Sequence, residues 1–187
     1  MDLSDLYGKK HVIAVHYLSR RAEIRLMQGE AASATIGTAK SISATHGIPD
    51  VVGSDNGSQF ASAEFREFAE EYQFTHMTSS PRYPQSNGSG EGGGKAERAV
   101  QTVKKLLKKA DDSHIALLMY RASPLVSDVS PAEILMGRKL RTKVPTLPST
   151  LNPQPPDLAT LKQKEHRQMK SSVKMTTNTT RPRSAHL

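Results

Sequence analysis

The sequence predicts an α/β domain at residues 1–143, followed by an extended or disordered basic tail at 144–187. Short strand patterns alternate with helical patterns as far as about residue 141, and beyond that point the patterns fade and proline becomes frequent. The chain has 187 residues, of which 36% are hydrophobic, so it has enough apolar side chains for one core but not for two full domains.

Strand and helix patterns alternate along the first half of the chain. The apolar run at 11–17 and the alternating segment at 22–27 predict two strands joined as a hairpin. Residues 30–46 predict a helix that stops at a glycine, and residues 50–54 predict a short buried strand. A second helix is then predicted, with Ser62 as its N-cap.

The second half contains the clearest helix. Before it, residues 74–78 predict another strand, and the segment 79–94, rich in Gly, Pro and Ser, predicts a long loop. The helix that starts at Lys95 has one apolar stripe, with its other lysines away from the stripe. The stripe consists of Ala96, Ala99, Val100, Val103, Leu106, Leu107 and Ala110. Two shorter helices are predicted at 114–120 and 131–136.

The distribution of charge favours an anionic partner. Residues 1–94 carry 8 basic and 11 acidic side chains, residues 95–143 carry 11 and 5, and residues 144–187 carry 7 and 2. The formal net charge of +8 makes nucleic acid the first partner to consider. The absence of cysteine excludes disulfides, thiolate zinc sites and cysteine nucleophiles. The sequence shows neither an apolar run of membrane-spanning length nor a secretory signal, so we expect an intracellular protein.

The candidate chemical groups are acidic side chains. Asp55 follows a predicted buried strand, where α/β folds place functional groups, and the Asn-Gly pair after it turns the chain sharply. The same residues are also explained by a plain turn. Glu97 is explained by the dipole of the cationic helix alone, and Asp2 by its place near the terminus. Taken singly, the residues leave these interpretations open.

Five motifs, in order, resemble one known family. They are SDNGSQF (54–60), SSPRYPQSNG (79–88), AERAVQTVKKLLKK (96–109), YRASPL (120–125) and SPAEILMGRKLRT (130–142). Together they resemble the integrase catalytic core of gypsy-type LTR retrotransposons, to which retroviral integrases are similar. The resemblance runs from Asp2 to about Pro148. It implies a ribonuclease-H-like fold, in which helices flank a mixed five-stranded sheet.

The resemblance also implies an activity, which is DNA processing and strand transfer by two-metal phosphodiester chemistry. A carboxylate triad would hold Mg²⁺ or Mn²⁺, with Asp2 matching the family's first acid and Asp55 its second. Water would first trim the DNA end, and the new 3′-hydroxyl would then join that end to target DNA. The residues that the resemblance assigns to DNA binding are Asn87, Gln101, Lys104, Lys105 and Lys108.

Two glutamates compete for the place of the third acid. In the family, one residue usually separates Asn-Gly from Ala-Glu-Arg, whereas seven residues, 89–95, stand there in this sequence. Glu91 keeps the usual 35 intervening residues after Asp55, and Glu97 keeps the motif but has 41. We favour Glu97, because the glycines around Glu91 give its backbone too much freedom to hold a metal ligand in place.

Two features argue against catalysis and leave three functional hypotheses. Met1 directly precedes Asp2, which predicts a truncated first strand, and residues 89–94 are an insertion. The first hypothesis is an active polynucleotidyl transferase, the second a DNA-binding remnant with impaired catalysis, and the third a host protein derived from the element whose core dimerises or docks a partner. We expect an integrase fragment that forms a homodimer through its core, lies in the nucleus and has no membrane partner.

Overall fold

The structure is a computed structural model, and it describes most of the chain in five ranges, which are residues 1–78, 93–125, 128–157, 159–161 and 163–164. The chain divides into two compact units, Met1–Arg121 and Ala122–Leu187. Within the described ranges, no helix combines the length and apolar character needed to cross a bilayer. The boundary placed at residue 144 from composition stays a prediction.

An antiparallel sheet of three strands opens the first unit. Its strands, in the spatial order β1-β2-β3, are β1 (Asp2–Leu6), β2 (Lys9–Val15) and β3 (Ala22–Leu26). Tyr7 and Gly8 join β1 to β2 with φ angles of 54° and 70°, as a two-residue hairpin turn requires. The register places Asp2 opposite Ile13. The predicted hairpin between residues 11 and 27 is confirmed as β2 and β3.

Two helices and a parallel strand pair follow. They are α1 (Ala32–His46), β4 (Val51–Ser54), α2 (Ala63–Glu71) and β5 (Thr75–Thr78), with β4 and β5 paired in parallel. Gly47 ends α1 with a φ of 86°, a conformation that glycine adopts at little cost. The hydroxyl of Ser62 accepts a hydrogen bond from the Phe65 N–H at 3.1 Å. Both predicted helix ends are therefore confirmed.

The five strands pair as two sheets. In the described part of the chain, no strand pairing joins the three-stranded sheet to the β4–β5 pair. β1 meets β4 through a hydrogen bond from the Met1 amine to the Gly53 carbonyl. A ladder needs successive residues of both strands side by side, and one terminal hydrogen bond does not make one. The prediction of a single five-stranded sheet is therefore wrong for the strand pairing, although the mixed α/β architecture is as predicted.

Two more helices complete the first unit and divide its core in two. α3 (Gly93–Lys109) and α4 (Ser113–Ala122) enclose one apolar cluster with the three-stranded sheet, which consists of Leu6, Ile13, Ala22, Val100, Val103, Leu107 and Tyr120. The second cluster joins α1, α2 and β4, and consists of Ala39, Val52, Phe60, Phe65, Phe68, Ala69 and Phe74. Leu3 of β1 packs against this second cluster and Leu6 belongs to the first, because alternate residues of a strand face opposite sides. β1 therefore lies between the two cores.

Within the second unit, the short helix α5 (Pro131–Met136) lies at the predicted position. Ser130 and Glu133 form a reciprocal capping box at its start, and Gly137 ends it in a left-handed conformation with a φ of 66°. A β-carbon at Gly137 would lie 3.3 Å from the ring of Pro155, so close packing as well as backbone conformation favours glycine there. A turn of 3-10 helix follows at Pro148–Leu151.

Candidate functional site

Asp2 lies on β1, and its side chain faces α3. Its Oδ2 lies 2.9 Å from Nζ of Lys104, 102 residues further along the chain. The two side chains are 28% and 19% exposed respectively, so water screens this ion pair only in part. The acid that the sequence predicts as the first metal ligand therefore has an ammonium group as its partner.

Asp55 directly follows β4 and is exposed. Its Oδ1 accepts a hydrogen bond from the Gly57 N–H at 3.2 Å, which closes an Asx turn. A β-carbon at Gly57 would lie only 3.1 Å from the same oxygen, so the turn brings backbone and carboxylate close together. The chain therefore turns at Asp-Asn-Gly, as both interpretations of this segment predict, and the turn holds the carboxylate at the end of a strand.

Ser54 and His76 support the backbone at this strand end. The Ser54 hydroxyl donates to the Asp55 carbonyl at 2.8 Å, and its oxygen lies 2.9 Å from Nε2 of His76 on β5. Because the hydroxyl proton is used on Asp55, the geometry assigns the donor role in the second bond to the histidine. The ring of Phe65 packs edge-on against His76, with 4.8 Å between the ring centroids.

The Met1 amine lies near both acids. Burial lowers its pKa, while the negative charges of Asp2 and Asp55 act to raise it. Both carboxylates are therefore close enough to the same amine for their charges to act on it. The pKa of His76 is lowered too, first by burial and then by this terminal positive charge. The contact of Met1 with Gly53 and the pairing of β4 with β5 thus bring Asp2, Asp55 and His76 into the same region.

Asp2 and Asp55 supply the carboxylate oxygens that a divalent hard cation prefers. Asp2 is paired with the Lys104 ammonium at 2.9 Å, and the hydrogen bond from Met1 to Gly53 brings the strands that carry the two acids together. Glu97 is exposed on α3. Across the described ranges, no group of three His, Cys, Asp or Glu side chains lies close enough together to hold a metal ion. Glu91 lies outside the described residues.

The predicted DNA-binding residues differ in their surroundings. Gln101, Lys105 and Lys108 are exposed on α3. Lys104 is on the same helix but is half-buried and paired with Asp2. Asn87 lies outside the described residues. The outward face of α3 therefore presents the cationic surface that the sequence predicts, with one of its lysines turned inward.

A second charged cluster surrounds Glu23, a buried residue of β3. Its carboxylate oxygens lie between 3.0 and 3.3 Å from nitrogens of four basic side chains, namely Arg21, Arg25, Arg121 and His46. Arg121 comes from α4 and His46 from the last turn of α1, so this one carboxylate ties two helices to β3. This cluster was not predicted from the sequence.

The guanidinium groups of the cluster also bind the backbone of β3. Arg121 donates to the Ala22 carbonyl through two nitrogens, at 2.8 and 3.0 Å, and Arg25 donates to the Ile24 carbonyl at 3.4 Å. The Arg21 carbonyl accepts a hydrogen bond from the His16 N–H, on the side where β2 lies. Because successive carbonyls along a strand point to opposite sides, the Ala22 carbonyl faces away from β2. These arginines therefore occupy the outer edge of the sheet.

Comparison with known families assigns part of this chain. Residues 6–84 match the integrase core domain family. The integrase core match includes Asp55, Ser54 and His76, whereas Asp2 and Glu97 lie outside it.

Other similar proteins cover more of the chain. An uncharacterized protein of Caenorhabditis elegans is 32% identical over 155 residues, which are 78% of this chain but only 12% of the relative. The catalytic core domain of BIV integrase superposes with a TM-score of 0.58 at 21% identity, covering 73% of this chain and 91% of that one. The HTLV-2 integrase catalytic core domain, in complex with magnesium in a dimeric form, superposes with a TM-score of 0.52 at 21% identity. This match covers 72% of this chain and 89% of that one. The chain thus has the integrase catalytic core fold.

Proposed function

We propose that this chain is an integrase core of the gypsy type, which processes DNA ends and joins them to target DNA. The observation that carries the proposal is the contact between the start of β1 and β4, which brings Asp2 and Asp55 into one region from separate strands. The integrase core match and the fold of the structural neighbours support it. Phosphodiester transfer needs clustered carboxylates, and these two are the acids that the family resemblance assigns.

Mg²⁺ or Mn²⁺ is the cofactor that we propose, with Asp2, Asp55 and Glu97 as its ligands. When bound, such ions activate the attacking oxygen and stabilise the leaving one. Since Oδ1 of Asp55 is engaged by Gly57, Oδ2 is the oxygen that we assign to the ion. The hydrogen bond from Ser54 to the Asp55 carbonyl fixes the backbone that carries this side chain. The magnesium named with the HTLV-2 core supports the choice of ion.

The third ligand is tested by two matched substitutions, Glu97→Gln and Glu91→Gln. We expect Glu97→Gln to lower metal-dependent strand transfer by about tenfold or more, a loss in the range measured for perturbed metal sites, since a charged ligand is removed. Glu91→Gln should leave the rate within about twofold, because glycine-rich backbone does not hold a ligand in place. The measurement is the initial rate on a pre-trimmed duplex end. If the two phenotypes are exchanged, Glu91 is the ligand.

DNA is the proposed partner, bound along the exposed face of α3. There Lys105 and Lys108 are expected to bind phosphates, which makes duplex affinity fall steeply as salt rises. Replacing both residues with alanine should flatten the plot of log affinity against log salt by about one unit for each lysine that binds a phosphate. Fluorescence anisotropy with a short duplex measures this slope. Lys40→Ala, in an exposed pair with Glu71 on α1 and α2, is the control and should keep the parent slope.

A second candidate function is DNA binding without catalysis. The pairing of Lys104 with Asp2 favours it, together with the exposed position of Glu97. In that case the parent protein would bind duplex with the expected salt dependence but show no strand transfer with Mg²⁺ or Mn²⁺. Measuring affinity and strand transfer on the same preparation separates the two functions.

We further propose that the core forms a homodimer and acts in the nucleus, where its proposed DNA target lies. The dimeric form named for the HTLV-2 core supports the first part of this proposal. Light scattering on the purified chain measures its oligomeric state directly.

A further inference from the structure

We propose that Lys104 couples the binding of the divalent cation to the binding of DNA. The inference rests on the proposed function, because it uses Asp2 as a cation ligand and the face of α3 as the DNA surface. Without ligands, the ammonium group of Lys104 holds the Asp2 carboxylate. When duplex arrives, the same ammonium moves to a phosphate, and Asp2 becomes available to the cation.

Lys104 and a divalent cation compete for the Asp2 carboxylate. Nζ of Lys104 lies 2.9 Å from Oδ2, which is the space that a cation bound to this oxygen would need. A divalent cation at Asp2 would also be repelled by the nearby ammonium charge, and the partial burial of both groups strengthens that repulsion. The cation therefore binds more tightly once Lys104 has left Asp2.

The Lys104 side chain can move from Asp2 to a phosphate bound on the same helix. Its four-carbon side chain is flexible, and its charged group interacts as a compact point charge with either a carboxylate or a phosphate. Lys105 and Lys108, on the same helix, are exposed and form the surface where we place the phosphates. A duplex on this surface brings anionic oxygens to the helix that carries Lys104. The movement replaces one anionic partner of the ammonium with another.

Coupling of this kind is reciprocal. If duplex raises the affinity for the cation by some factor, the cation raises the affinity for duplex by the same factor, and couplings of this type are typically about 5- to 150-fold. The functional consequence is that the protein takes up its cofactor together with its DNA.

The experiment measures Mn²⁺ affinity of the full chain by calorimetry, with and without a saturating short duplex at constant ionic strength, after subtraction of the duplex alone. Duplex should tighten Mn²⁺ binding by about fivefold or more in the parent protein. Without duplex, Lys104→Met should bind Mn²⁺ at least about fivefold more tightly than the parent protein does without duplex. Adding duplex should then change the Mn²⁺ affinity of Lys104→Met by less than about twofold. Lys104→Gln is expected to behave in the same way, and serves if Lys104→Met does not fold.

Lys10→Met is the matched control. Lys10 forms an ion pair of the same length, 2.9 Å, with Asp5 of the same strand as Asp2, but that pair is more exposed. Asp5 and Asp2 are separated by an odd number of positions and so face opposite sides of β1. Lys10→Met should therefore keep the Mn²⁺ affinity of the parent and its response to duplex.

The outcomes separate this inference from the proposed function. If the parent protein binds no Mn²⁺, or if Asp55→Asn binds it as tightly as the parent, the proposed cation site itself fails. If Asp55→Asn weakens Mn²⁺ binding while Lys104→Met leaves the affinity or its response to duplex unchanged, the site stands and the coupling through Lys104 is overturned.

Discussion

Replacing Asp55 with asparagine should lower the rate of metal-dependent strand transfer by about a hundredfold or more. Mutating even a residue that only hydrogen-bonds to a metal ligand typically lowers metal affinity or activity by about 10- to 100-fold, and Asp55 is proposed as a ligand itself. The substitution removes the ligand's charge but keeps its volume. Asparagine also keeps an Oδ1 that can accept the hydrogen bond from the Gly57 N–H, so the turn after β4 should persist. Thermal unfolding should therefore show little change in the absence of metal.

The measurement is the rate of strand transfer on a pre-trimmed duplex end, together with the shift in melting temperature caused by Mn²⁺. Because a cation that binds the native state stabilises it by mass action, Mn²⁺ should raise the melting temperature of the parent more than that of the variant. Asp50→Asn, an exposed acid just before β4, is the control. Equal turnover by Asp55→Asn and the parent would remove Asp55 from the site.

The second large effect is expected at Glu23. Glu23→Gln should lower the free energy of unfolding by about 3–5 kcal/mol, the usual cost of breaking a buried ion pair by removing one partner. The substitution leaves Arg21 and Arg121, both mostly buried, without the carboxylate that compensates their charge. It also weakens the ties of α1 and α4 to β3. Urea denaturation measures the difference.

The same carboxylate gives this prediction a pH dependence. Burial raises the pKa of Glu23, but the positive charges of Arg121 and Arg21 outweigh that effect and hold the pKa below its ordinary value of 4.5. A depressed pKa in the folded state stabilises the fold above pH 4.5, and this stabilisation is lost as the pH falls through the folded-state pKa. The stability gap between the parent and Glu23→Gln should therefore narrow in that acidic range.

An exposed glutamate provides the comparison. Glu71 pairs with Lys40 at 3.2 Å, but its side chain is 64% exposed, so Glu71→Gln should cost less than about 1 kcal/mol. If Glu23→Gln lowers the free energy of unfolding no more than Glu71→Gln does, then water stabilises the charges of the surrounding arginines without the Glu23 carboxylate.

The sequence predicts the local elements well because their signals are local. The hydroxyl of Ser62 caps α2 three residues away, and the helix Pro131–Met136 is framed by Ser130 before it and Gly137 after it. The apolar stripe of α3 requires only a helical period, and its members Val103 and Leu107 are fully buried. In each case, the residues that determine the element lie within it or next to it.

The site depends on interactions that no local pattern contains. Lys104 meets Asp2 across 102 residues, and the sequence assigns that lysine only to DNA. His76 reaches Ser54 because β4 and β5 lie in parallel, and its isolated position in the sequence carries no spacing that indicates such a pairing. Whether Glu97 joins the two aspartates depends on the path of the chain between β5 and α3, and the sequence offers two alignments for it. Secondary structure was therefore easier to predict than the environment of each acid.

The arginines at the outer edge of β3 have a consequence for the behaviour of the protein in concentrated solution. An open sheet edge offers unpaired carbonyls that accept a strand from another molecule, which is a common route to aggregation. Here the Ala22 and Ile24 carbonyls are already bound by Arg121 and Arg25. An incoming strand would have to displace charge-assisted hydrogen bonds and approach a cluster of guanidinium groups. This edge therefore resists intermolecular β-sheet growth.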